Sequence, residues 1–369
     1  MKKIRVGILF GGKSAEHEVA LQSAKNIVEA IDQEQFEVTL IGIDKQGQWH
    51  QQKSAEFLLN AADPKMIALN TSSASAALAV VPGTANTQTL SISEAAPMEP
   101  VDVIFPVLHG PFGEDGTVQG LLKLLNVPFV GAGVLGSAVG MDKDVMKRLL
   151  RDAGIAIAKF HVFPRALRNN IDPASIAAEL GLPCFVKPAN LGSSVGISRV
   201  DSEDEFEAAL AKAFRFDNKI IIEENIRGRE IECSVLGNAN PIASLPGEVL
   251  TDAAHHQFYS YEAKYLDEHG AVLEIPANLP EHLVKSVQDT SIRAFQALCC
   301  EGMARVDCFV TADERVIINE INTIPGFTRI SMYPKLWEAS GVSYQELITR
   351  LIQLAIERHK LEQELTTSV

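Results

Sequence analysis

Ile4-Arg5-Val6-Gly7-Ile8-Leu9-Phe10-Gly11-Gly12-Lys13-Ser14 decides the fold of the first third of the chain. By spelling alone, Gly7 to Ser14 satisfies G-x-x-x-x-G-K-S, a phosphate-binding loop pattern. Such a loop needs a strand before its first glycine and free backbone between its glycines. Here Ile8, Leu9 and Phe10 are wanted by the strand itself, and only Ile4, Arg5 and Val6 precede Gly7. The stretch therefore reads as a β-strand closed by a tight Gly11-Gly12 turn, where a small ligand can approach the backbone. Ala20, Ala24, Ile27, Val28 and Ile31 follow at helical spacing, with Glu16 and His17 at the helix start. A carboxylate there is favoured by the helix dipole and can also hold a ligand's ammonium group.

Outward from this stretch, Phe36–Ile43 and residues 101–108 read as two further strands, the second leading into a helix over about 116–125. Strand, helix and strand at this spacing predict a mostly parallel, doubly wound sheet. His109 ends the 101–108 run, and ligands gather beyond the carboxyl ends of parallel strands. Residues 66–93 carry no charge and read as an inserted loop or small hairpin without chemistry. A helix capped by Asp142 runs to Ala153, and Asp172-Pro173 with Gly181 brackets another. Cys184–Pro188 and Lys219–Glu224 are strands, and Ser202 with Glu205 spells a capping box before the helical face Phe206, Ala209, Leu210, Ala213 and Phe214. Together these make a compact α+β unit. The last third alternates at Ile231, Cys233 and Val235, passes through a charged loop at 251–270, and forms a helix over 281–298. Strands at 304–310 and 315–321 precede a final helix opened by Ser343 and Glu346.

Composition excludes several classes. Lys plus Arg total 33 against 47 Asp plus Glu, a net charge of -14, so a generally basic nucleic-acid surface is ruled out. Anionic ligands must be met by a few focused cations. The apolar region 121–141 is interrupted by Lys123, Asn126 and Pro128, and the run before Gly11 is too short for a signal-peptide core. Five cysteines, odd in number and without C-x-x-C, read as buried reduced thiols of a cytoplasmic protein. His50, His161, His269, His282 and His359 read as surface residues.

Two more constellations carry chemistry. Gly192-Ser193-Ser194-Val195-Gly196 follows the strand bearing Lys187. Small and hydroxyl-bearing residues can turn N–H and O–H groups toward phosphate oxygens, and a lysine closing an apolar strand calls for an anionic partner. Arg305 and Asp307 alternate on one strand, Glu320 and Asn322 on the next. A turn near Ala312-Asp313 puts Arg305 and Asp307 on the face of Glu320. Two carboxylates and an amide oxygen suit Mg²⁺. Thr323-Ile324-Pro325-Gly326-Phe327 follows, a turn where a backbone N–H can meet a reacting carbonyl.

In this order and spacing the motifs resemble the D-alanine–D-alanine ligase family of ATP-grasp enzymes, from Arg5 to about Leu361. The likeness rests on Gly11 to Val19, Leu108-His109-Gly110 with Gly113 to Thr117, Val186-Lys187-Pro188 with Gly192 to Gly196, Tyr259 to Tyr265, Arg305-Val306-Asp307, and Asn319 to Thr323 with Pro325 to Thr328. It implies a three-domain ATP-grasp architecture: a doubly wound parallel-sheet domain at 1–139, a central domain at 140–227 and a catalytic domain at 228–369. Lys143, Lys187, Ser194 and Lys264 would meet ATP phosphates, and Glu223, Glu224, Ile226 and Glu230 would border adenine and ribose. Glu224 stands where the family often has Lys, which removes one cation near the base. Asp307, Glu320 and Asn322 would hold two Mg²⁺ ions, with Mn²⁺ as a substitute. Glu16, Ser193 and Tyr265 would close the 251–270 loop over the site. His109 would lie near the first D-alanine, Ser331 and Met332 would face the second, and Arg305 with Gly326 would stabilise the oxyanion. Tyr265 favours an amine over D-lactate as second substrate. The implied protein is a cytoplasmic homodimer acting on D-alanine and ATP, with no nucleic acid and no membrane. A P-loop NTPase using Lys13 and a non-catalytic nucleotide sensor are the competing readings.

Overall fold

The computed structural model describes residues 2–52, 57–61, 63, 66–71, 76–81, 89–92, 96–97, 99–250 and 272–366. Among the described residues three main sheets follow one another along the chain, beside a small pair of Leu58–Leu59 with Ala68–Leu69. In the first, of seven strands, Ile4–Gly11 lies between Phe36–Ile43 and Val103–Val107 and is parallel to both. The helix His17–Ala30 returns across it, so the sheet has the doubly wound character expected. Gly11 and Gly12 turn the chain with φ of +88° and +101°. A Cβ at Gly11 would stand 2.3 Å from the Ile43 carbonyl oxygen, so only glycine fits. Residues Ala76–Val80 and Thr89–Ser91 pair as a small hairpin added to this sheet's edge.

The second sheet has four strands, with Lys219–Glu224 antiparallel to both Phe160–Pro164 and Cys184–Pro188. Pro173–Leu180, capped by Asp172 on the Ala174 N–H, and Phe206–Ala213 cover one face of it. The capping box expected at Ser202 does not form. The Ser202 side chain makes no cap, a short 3₁₀ turn Glu203–Glu205 intervenes, and Glu205 accepts instead from the Asp201 N–H at 2.9 Å. The third sheet has six strands, at whose centre Gly302–Thr311 lies antiparallel between Gly228–Gly237 and Val316–Asn322. The long helix Glu281–Ala297 buries Leu283, Val287, Ala294 and Phe295 on one side of it.

Two core clusters tie these units together. Phe105 of the first sheet meets Phe327 edge-on at 5.7 Å between centroids, and Tyr333, Trp337, Leu347 and Leu351 complete the packing. Fully burying a ring such as Phe105 or Phe327 contributes about 1.5–3 kcal/mol, so the turn bearing Phe327 is firmly seated on the first sheet. Met146 and Leu150 of Lys143–Asp152 join the third sheet's core. Val134–Met141 is a helix the sequence pattern did not suggest, because its glycines lower helix propensity. Packing requires them: a Cβ at Gly136 would stand 2.6 Å from the Cys299 carbonyl oxygen. The thiols are free; Cys184, Cys233, Cys300 and Cys308 are buried, while Cys299 is exposed. His50 is likewise buried rather than on the surface, bound to Asp44 at 3.0 Å. Among the described residues no helix is long and apolar enough to cross a membrane.

Candidate active site

A cavity of about 480 Å³ opens between the second and third sheets. Lys143, Lys187, Ser193, Ser194, Glu223, Glu224, Ile226, Glu230, Asp307 and Glu320, all singled out in the sequence, line it. Lys143 leads its helix, where Asp142 caps the Asp144 and Val145 N–H groups, and donates to the Leu191 carbonyl at 2.8 Å. Its ammonium also lies 3.1 Å from Glu320. Lys187 pairs with Glu223, whose other oxygen is 3.1 Å from Lys147. Burial by itself would raise the Glu223 carboxyl, but Lys147 and Lys187 outweigh it and hold it down to about 2. Ser193 and Ser194 both have left-handed backbone, with φ of +51° and +58°, an unfavourable state for serine that marks a loop held by its surroundings. Glu224, which stands where the family often has Lys, turns its carboxylate to accept from the Lys159 N–H at 2.7 Å.

The third sheet sets the acidic face. Asp307 pairs across the ladder with Glu320 and with Glu232, and Arg305 pairs with Asn322. Arg305 grips Asp307 with two bonds of 2.7 Å and reaches Glu232 at 2.9 Å, while Asn322 donates to Asp307 at 3.0 Å. Asp307, Glu320 and the Asn322 amide oxygen are hard oxygen donors fitted to a small divalent cation. Arg305 and Lys143 supply the neutralising charge in this structure. Among the described residues no group of three His, Cys, Asp or Glu gathers in metal-holding geometry, so the set is two carboxylates and an amide.

Next to the cavity, Glu16 is buried and accepts from the Ser193 hydroxyl, joining the first sheet to the serine loop. Gly110, at φ +77°, lets this carboxylate approach; a Cβ there would be 2.7 Å from Glu16 Oε2. His109 is buried with both ring nitrogens engaged: Nδ1 to the Ile324 carbonyl at 3.0 Å, Nε2 to the Ser23 hydroxyl at 3.3 Å. Ser23 in turn accepts from the Phe327 N–H at 3.2 Å. Burial holds the imidazole below its ordinary pKa despite nearby Glu16, so it is neutral and bridges first sheet and turn rather than offering a free nitrogen. Ser331 caps no helix N–H; its hydroxyl is tied to Thr328 N and Oγ1 at 3.0 and 2.7 Å. Met332 packs with Val249 and Leu336. Gly326 is buried within the turn that His109 and Ser23 tether. Lys264, Tyr265 and the 251–270 loop lie outside the described residues.

Three participants escaped the sequence reading. Lys147 and Glu232 were not singled out by any motif. Glu114 is part-buried, and its carboxylate accepts from Gly110 N–H at 2.6 Å and from the Ile324 N–H. Burial and the neighbouring Glu16 push it up to about 8, so it is protonated near neutrality. Its place in Gly113-Glu114-Asp115-Gly116, beside a ligand-facing strand end, was the available signal. Lys13 is exposed and lies outside the cavity lining, and Gly7 to Phe10 are strand, which removes the P-loop geometry.

Two antiparallel sheets closing on a lysine-lined, acid-floored cavity, joined to a doubly wound sheet, define an ATP-grasp fold. Models of the D-ala D-ala ligase N-terminus and C-terminus match residues 5–132 and 149–353. A D-alanine–D-alanine ligase of Shouchella clausii is 58% identical over 369 residues, covering 100% of this chain and 99% of that protein. D-alanine–D-alanine ligase A of Escherichia coli K12 is 56% identical over all of both chains. The solved D-alanine–D-alanine ligase of Coxiella burnetii superposes with a TM-score of 0.85 at 40% identity, covering 99% of this chain and 97% of that one. The chain belongs to the D-alanine–D-alanine ligase family.

Proposed function

We propose that this chain uses ATP to join two D-alanines into D-alanyl-D-alanine for peptidoglycan precursor synthesis. The observation that carries this reading is the convergence of Lys143, Lys187, Ser193, Ser194, Asp307 and Glu320 on one cavity. A carboxylate is a poor electrophile. Its oxygen therefore attacks the γ-phosphorus of ATP, the bond to ADP breaks, and an acyl phosphate forms. Lys143 and Lys187 offset the charge that develops on the phosphoryl oxygens. Glu16 holds the ammonium of the first D-alanine. The amine of the second then attacks the acyl carbon and loses a proton, and inorganic phosphate leaves. Arg305 and the Gly326 N–H meet the tetrahedral oxyanion, a kind of contact whose loss lowers the rate about 10²–10³-fold.

Asp307, Glu320 and Asn322 would hold two Mg²⁺ ions, or Mn²⁺ in their place. Such cations, when bound, neutralise phosphate charge and orient the γ-phosphoryl group. Ser331 and Met332 border the second D-alanine, and Tyr265 with Glu16 and Ser193 closes the site and favours an amine over D-lactate. Domains at 1–139, 140–227 and 228–369, a homodimeric assembly and a cytoplasmic setting belong to the same reading.

A coupled assay of ADP release with D-alanine, L-alanine and D-lactate tests it. D-alanine alone should stimulate turnover and give a dipeptide; ADP release indifferent to D-alanine would refute it and leave a nucleotide sensor. Lys187→Ala should lose ATP affinity and Lys13→Ala should keep it, the reverse of what a P-loop enzyme requires. Glu320→Ala should abolish metal-dependent ADP release.

A further inference from the structure

Lys147 is buried to 1% side-chain exposure on the same face of its helix as Lys143, one turn later, yet it does not line the cavity. Its ammonium sits behind Glu223, 3.1 Å from Oε2 and 5.9 Å from the Phe160 ring centre. Glu223 does line the cavity, is itself 4% exposed, and stands between its cross-strand partners Phe160 and Phe185. Its Oε1 is taken by Lys187, which also lines the cavity. The two cations are therefore unequal: one can reach a ligand in the cavity, and one cannot.

This inequality matters once a nucleotide arrives, and here the inference rests on the function proposed above. When Lys187 turns to the phosphates, Glu223 loses half its counter-charge in a site where a lone carboxylate is strongly disfavoured. We propose that Lys147 is a positioning residue of the nucleotide site, the fixed counterion of Glu223 that releases Lys187 to the phosphates and leaves Oε1 to accept an amino group of the base. The direction of the Glu223 pKa agrees: burial pushes it up, and the charges of Lys147 and Lys187 together bring it down.

The test uses the full chain, with calorimetric titration of ATP and steady-state rates. Lys147→Met should weaken ATP binding, and raise KM for ATP, by roughly 10–100-fold, less than the roughly 10²–10³-fold scale of removing one partner of a buried pair because Lys187 remains to turn back to Glu223. KM for D-alanine should stay within about twofold, since uniform ground-state binding of that substrate is untouched. Adding Glu223→Gln removes the charge that Lys147 balances, so the double variant should bind ATP more tightly than Lys147→Met alone. Unchanged ATP affinity in Lys147→Met overturns the inference, and so does a double variant that binds no better than the single one, the behaviour of a merely structural lysine. If Lys147→Met does not fold, the double variant decides: regained folding and ATP binding support the role, and continued failure overturns it. Lys187→Met separates the two levels. Unaltered ATP affinity there sinks the nucleotide reading itself, whereas loss there with Lys147→Met intact sinks only the role of Lys147.

Discussion

Ser23→Ala should separate the first sheet from the catalytic turn without touching any group that lines the cavity. Ser23 is fully buried in the helix His17–Ala30, and its hydroxyl is the middle link of a chain. The Phe327 N–H donates to Ser23 Oγ at 3.2 Å, the Ser23 hydroxyl meets His109 Nε2 at 3.3 Å, and His109 Nδ1–H donates to the Ile324 carbonyl at 3.0 Å. The neutral imidazole fixes the direction: Nδ1 carries the proton and Nε2 accepts. Alanine leaves the Phe327 N–H and His109 Nε2 without partners in a dry site. Each stranded group costs about 1–3 kcal/mol, so the variant should lose about 2–6 kcal/mol of stability. Urea unfolding measures this as a lower midpoint at unchanged slope. With its tether cut, the turn carrying Gly326 should wander, and kcat should fall about tenfold or more while KM for ATP holds, because the interaction lost is one made in the transition state. A variant within about 0.5 kcal/mol of the parent, the range of an inert surface change, and with unaltered kcat would refute the relay.

Other outcomes follow from the same geometry. The His109 imidazole has a native pKa below its ordinary 6.5, so the unfolded chain takes up a proton that the native ring refuses. Stability from this group is intact above about pH 6.5 and is lost as pH falls, and His109→Gln should flatten that part of a urea-midpoint profile between pH 5 and 7. Glu114 has the opposite sign. Raised from 4.5 to about 8, it contributes stability below about pH 4.5 that is lost as pH climbs to about 8, so Glu114→Gln should gain on the parent across that interval. Arg305→Lys keeps the charge but not the two-pronged grip on Asp307, and should cut kcat about 10²-fold in the coupled assay. Gly110→Ala puts a methyl 2.7 Å from Glu16 Oε2 at a φ of +77°. It should cost about 1–2 kcal/mol in backbone strain and raise KM for the first D-alanine.

The first sheet was legible because apolar runs of strand length and helical spacing are local properties, and the Gly11-Gly12 turn announces where the strand stops. Spelling there was misleading, since G-x-x-x-x-G-K-S says nothing about whether the intervening residues are loop or strand. Lysine at the end of Cys184–Pro188 was likewise recognisable, because an apolar run seldom closes on a charge without a ligand or partner. Lys147 was not. It sits in Lys143-Asp144-Val145-Met146-Lys147-Arg148, which has the charge density of a solvated face. Its burial follows from Glu223, distant in sequence and brought under it only by the packing of helix on sheet.

Arg305 with Asp307 and Glu320 with Asn322 show the same division within one site. Each pair shares a face by sequence alone, because side chains alternate along any strand. Whether the two pairs share a face with each other depends on register. The hairpin pairs Val310 with Val316 and Cys308 with Ile318, and then slips so that Asp307 meets Glu320, leaving Asn319 as the extra residue. Continued without that bulge, the ladder would set Asp307 opposite Asn319 and turn Glu320 and Asn322 toward the apolar core. The expected turn at Ala312-Asp313 reached the right face by a different register. Local periodicity belongs to the sequence, whereas the bulge is settled by how the third sheet packs, because only burial of Ile318 and Ile321 against Glu281–Ala297 selects one register over its neighbour.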